Sequence, residues 1–140
     1  MSFSFRAIRL GLQTQLATIS GLRAYDVWPT TINPPVAVVR PLSGVYHEDE
    51  DGSVTHHFEI TLLLQLGNLI VAQEELDAYI ATEGELSVPN ALEADPTLGG
   101  AAHSTSVTGW RDCGTMRVGA DEDGRAPEFM GVRFDVEVFA

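Results

Sequence analysis

The stretch "VTHHFEITLLLQL", residues 54 to 66, decides how this chain is read. Even positions carry Val54, His56, Phe58, Ile60, Leu62, Leu64 and Leu66. Odd positions carry Thr55, His57, Glu59, Thr61, Leu63 and Gln65. A period of two predicts a strand with one buried and one wetter face. The same residues raise a metal site as an alternative. On a strand, His56 and His57 point to opposite faces, so only His57 and Glu59 share one. Zinc needs at least a third protein ligand. His47 and His103 are the remaining histidines, and no spacing directs them there. The reading adopted is a polar sheet face, with no metal, no cofactor and no catalytic residue expected.

Upstream, Phe5, Ile8, Leu12, Leu16 and Ile19 recur at three and four residues, one apolar helix stripe over 4–19. Ser4 or Ser2 is available as its cap, and Gly21 stops it. "LRAYDVWP" predicts a short strand closed by Pro29. "VAVVRP", 36–41, predicts a central one, apolar on both faces. Between it and the opening stretch lies "LSGVYHEDEDGSV", whose turn residues predict a long β-hairpin arm tipped by Glu48, Asp49, Glu50 and Asp51.

Downstream, "NLIVAQEELDAYIA" predicts a second helix with Leu69, Ala72, Leu76 and Ile80 on one face. "SVPNALEAD" predicts a short helix capped by Ser87, with Pro89 in its first turn. "AHSTSVTGWRDCGTMRV" predicts one or two strands kinked near Gly114. The turn-rich "GADEDGRAPE" holds Asp121, Glu122 and Asp123. "FMGVRFDVEVF" alternates again, with Met130, Val132, Phe134, Val136 and Val138 opposite Arg133, Asp135 and Glu137. The order predicts a single α+β domain over 1–140: a two-layer, mostly antiparallel sheet covered by two helices, with the hairpin as an arm.

The chain has 140 residues, enough for one core. Its net charge is -12, and all eight basic residues are arginine. So acidic a surface does not grip nucleic acid, because phosphate binding needs accumulated positive charge. No run reaches the ~18 apolar residues of a membrane span, so no membrane partner is expected. No signal peptide is expected at the start. The single cysteine, Cys113, excludes an internal disulfide framework and suits a reducing compartment. It reads as a small residue filling a strand. Trp28 and Trp110 read equally as core or as interface anchors.

The succession "LATISGLRAYDVWPTTINPPVAVVRP", "FEITLLLQLG", "AQEELDAYIA", "SVPNALEADPTLGGAAHSTSVTGW" and "EFMGVRFDVEVFA" resembles the tail-terminator (minor tail) proteins of long-tailed bacteriophages with non-contractile tails, particularly those infecting actinobacteria. The resemblance runs over nearly the whole length. It implies a virion protein, made in the host cytoplasm, that forms a homohexamer ring at the head-proximal end of the tail tube. Such a ring ends tube polymerisation and joins the tail to the head connector. Its partners would be other copies of itself, the tail tube protein and the head-tail connector proteins, with genomic DNA passing through unbound.

It implies no enzyme activity and no cofactor. On the residues alone the acidic groups read first as solvated loop tips. On this reading Glu48 to Asp51, or Asp121, Glu122 and Asp123, face the lumen or the tube end, and Arg133 and Trp110 are candidates to meet neighbouring subunits. The alternatives are another phage neck or head-closure protein, a small α+β ligand-binding domain, or a metal-dependent hydrolase built on His57 and Glu59.

Overall fold

A computed structural model describes residues 4–47, 53–118 and 127–140. The fold is α+β: a five-stranded mixed sheet with helices on one face. The opening helix, α1 (Phe5–Leu16), starts where the Ser4 hydroxyl accepts from the Ala7 amide at 3.3 Å. It ends earlier than its stripe predicts. The chain then turns through Gly21 at φ +77, a left-handed backbone that suits a residue without Cβ. Ile19 still enters the core from that turn.

The strands are β1 (Arg23–Tyr25), β2 (Val36–His47), β3 (Ser53–Gln65), β4 (Ser104–Arg117) and β5 (Glu128–Phe139), in spatial order β1-β2-β3-β5-β4. Only β1 and β2 run parallel; β2 with β3, β3 with β5 and β5 with β4 are antiparallel. Three helices cover the sheet rather than two: α1, α2 (Leu69–Ile80) and α3 (Val88–Glu93). Their Ile8, Leu12, Leu16, Leu76, Val88 and Leu92 pack on Phe58, Ile60, Leu62, Phe134, Val136 and Val138. The alternation expected of β5 is therefore the alternation that packs.

Two expectations fail for physical reasons. The odd face of β3 is not wet along its length, because Glu59, Thr61 and Leu63 are buried. Leu63 sits in a second apolar cluster with Val36, Val38 and Phe129, against which Tyr25, Ile32 and Met116 pack. In α2, Asn68 accepts from the amides of Ile70 and Val71, which starts the helix so that its first turn overhangs the core. Leu69 is consequently exposed, and Tyr79 is buried in its place.

The hairpin of β2 and β3 forms, with pairing from Val36–Leu63 to His47–Ser53. Among the described residues it does not leave the sheet as an arm. β5 accompanies β3 out to Thr55–Phe139, and Val54 and Ala140 exchange both backbone hydrogen bonds. The tip lies outside the described residues.

Candidate functional site

The helix-free face of the sheet carries a charged knot centred on Glu59. Strand register builds it. Arg40 pairs across β2 and β3 with Glu59, and Glu59 pairs across β3 and β5 with Asp135. Arg133 lies two residues before Asp135 on the same face. Arg111 pairs with Arg133 from β4.

Arg111 donates through Nη2 to the Glu59 carboxylate and through Nε to Asp135 Oδ1 at 3.2 Å. Arg133 Nε lies 3.6 Å and Arg40 Nη1 3.7 Å from Glu59 Oε1. Asp112 Oδ2 then accepts from both Arg111 and Arg133 at 3.0 Å. Three guanidiniums thus face three carboxylates. The hydrogen bond to Glu59, with Asp135 adding to it, raises the Arg111 pKa above its ordinary value. A buried carboxylate is tolerable only because this set satisfies its oxygens.

A backbone kink allows the arrangement. Between Arg111 and Gly114 the β4 register slips, with Asp112 at φ +56 and Gly114 at φ +144. The bulge swings the Asp112 carboxylate over the two arginines. Cys113 is exposed in this bulge instead of filling the strand.

The histidines gather at one end of the sheet on different faces. His57 Nδ1 lies 3.6 Å from Glu137 Oε1, and Glu59 is engaged by arginines instead. His56 lies on the helix side with its ring 5.0 Å from that of Phe5. Burial, and then the nearby His57, lower its pKa below the ordinary value. His47 Nε2 lies 2.8 Å from Thr55 Oγ1. Among the described residues no group of three or more metal-ligating side chains converges.

The sheet also has two open edges. β1 covers β2 only from Val36 to Val38, and among the described residues nothing pairs with the outer side of Arg40–His47. β4 closes the other side of the sheet, and among the described residues no strand pairs with its outer edge. Large apolar side chains lie exposed along both: Leu42, Val45 and Tyr46 on β2, and Trp110 on β4. Beside β2 lies an open groove of about 370 Å³.

No protein-family model matches this chain, and no curated protein does so either.

Of the residues singled out in the sequence, Trp110 stands open at a sheet edge, 55% exposed. Arg133 spends its guanidinium on Glu59 and Asp112 of its own chain. Glu48, Asp49, Glu50, Asp51, Asp121, Glu122 and Asp123 lie outside the described residues. Sequence reading missed Glu59 as the centre of a network. The signal was present in the isolated acid among leucines, which burial penalises unless cations arrive from elsewhere.

Proposed function

We propose that this chain is a structural subunit of a phage particle, a tail terminator that forms a ring at the head-proximal end of the tail tube. The observation that carries the reading is the pair of open edges on one sheet. An unpaired strand edge either finds another strand or aggregates. When the two edges differ, as β2 and β4 do, their contact is heterologous, and closing it produces a ring. The resemblance in segment order supplies the biological setting.

The ring would present its charge to passing DNA. With twenty acidic residues against eight arginines and a net charge of -12, such a subunit gives phosphates few cations with which to replace their counterions. The acidic groups at 48–51 and 121–123 are the part of this reading assigned to the lumen or the tube end. Neutralising the 48–51 group is expected to leave ring formation intact and to change docking or DNA passage.

Electron microscopy of the purified chain mixed with tail tubes tests the proposal. Density capping one end of the tube is the expected result. Tubes that continue to grow, with bare ends, refute it.

A further inference from the structure

The two edges differ in a way that fits one to the other. Because β2, β3, β5 and β4 alternate in direction, β4 runs opposite to β2. A second copy laid alongside with its helices on the same side therefore brings its β4 antiparallel to β2 of the first. Antiparallel pairing has the better hydrogen-bond geometry.

Register then fixes where the strands meet. Val39, Ile60, Phe134 and Trp110 form one row across the sheet, on the helix side. An unshifted neighbour would set its Trp110 beside Val39 and its Arg111 beside Val38, where Tyr25 of β1 already sits. The incoming strand must slide toward His47. With its Trp110 at Gly44 its Gly114 meets Arg40, and its Met116 and Arg117, which would fall beside Val38 and Ala37, must bend away from Tyr25 and Ala24 of β1. Past the rows of Arg40, Pro41 and Ser43, the next helix-side position after Pro41 is Gly44, paired with His56.

There the groove opens. It is lined by Phe5, Pro41, Gly44, Tyr46, Val54 and His56 among others, and its lining residues include no arginine and no carboxylate. Its volume of about 370 Å³ exceeds that of an indole side chain.

Charge and area point the same way. Of twenty acidic residues, β2 and β4 together hold one, Asp112, against Arg40, Arg111 and Arg117. The two edge strands themselves therefore add little to the repulsion between acidic copies. A paired segment of eight residues is about 26 Å long. With a sheet and a helix layer together about 20 Å deep, it covers about 500 Å² per partner, which reaches the ~1,000 Å² total of a specific interface.

We propose that copies of this chain join head to tail through β2 of one and β4 of the next, with Trp110 of the second seated over Gly44 between Phe5, Tyr46 and His56 of the first. The inference rests on the self-assembly in the proposed function and names its contact.

Trp110→Ala and Tyr46→Asp each damage one edge only, and both side chains are exposed, so at concentrations where the wild type is monomeric each variant should unfold at the wild-type temperature. The experiment measures mass in solution against protein concentration for the wild type, for each variant, and for their mixture. The wild type should associate as concentration rises, and each variant should associate at least about 30-fold more weakly, as for loss of an interface anchor. The mixture should recover a dimer and stop there, because it contains one intact edge of each kind.

In a Trp28→Phe chain, emission from Trp110 should shift to the blue on association. A wild type that stays monomeric at every concentration, variants that associate normally, or Trp110 emission that does not move would overturn the proposal. Rings that cap tubes with Trp110 still exposed would sink this contact and leave the terminator reading. Head-to-tail association without tube capping would do the reverse.

Discussion

Arg111 donates to Glu59 although β5 lies between their strands. The side chain crosses Asp135 on the way and is held there by a second hydrogen bond. The consequence for stability can be measured. Arg111→Ala leaves the buried Glu59 with the longer contacts to Arg40 and Arg133 and a 3.5 Å hydrogen bond from Thr61, and should cost about 1–3 kcal/mol in urea unfolding. Glu59→Gln should cost a comparable amount, and the double variant should cost less than the sum. Additive losses would show that the two groups do not act together.

Gly131 sits where a side chain has no room. A Cβ there would come within 2.8 Å of the Leu62 carbonyl oxygen and of the Met116 sulfur. Met116 can move, but the β3 backbone cannot without breaking its pairing with β5. Gly131→Ala should therefore destabilise by about 1–3 kcal/mol, the usual cost of overpacking. Thermal unfolding by circular dichroism checks this.

Ser87 serves two elements. Its hydroxyl accepts from the Asn90 amide at the start of α3 and donates to the Ala81 carbonyl after α2. Ser87 is buried, so alanine leaves both groups without a partner. A loss of about 1–2 kcal/mol is expected in denaturant unfolding, and threonine should retain part of the stability.

His56 makes stability depend on pH. Its pKa in the folded chain lies below the ordinary 6.5, so the unfolded chain takes up its proton first as pH falls. The stabilising contribution is complete above about pH 6.5 and is lost as pH drops through the lower folded value. A His56→Phe chain should lose less melting temperature than the wild type between pH 7 and pH 5. An unchanged slope would remove His56 as the cause.

Local pattern made much of this fold legible. β5 alternates because its two neighbours and the helices above it treat every second residue alike, and Val132, Phe134, Val136 and Val138 are all buried as that pattern demands. Ser4 and Ser87 were visible as caps because capping is settled within three residues. Glu59 was misplaced because its burial is created by Arg40, Arg111 and Arg133, which arrive from three other strands. Alternation along one strand cannot register partners so distant in sequence. The exposed face of Leu69 was hidden for a related reason: periodicity gives the stripe of a helix but not where the core beneath it stops. The open edges were legible only as a general hazard of strands. That β2 and β4 are the open ones follows from the order β1-β2-β3-β5-β4 and from β1 covering β2 only at Val36–Val38, which no local pattern encodes.

The ionic knot binds every long strand to the others, with Arg40 on β2, Glu59 on β3, Arg133 and Asp135 on β5, and Arg111 and Asp112 on β4. Peeling the outermost strand would have to break lateral charge contacts as well as its own backbone ladder. Tension applied at one rim is thereby handed across to the other. Those four strands should then resist as a riveted plate, with rims that shift together instead of unzipping one at a time.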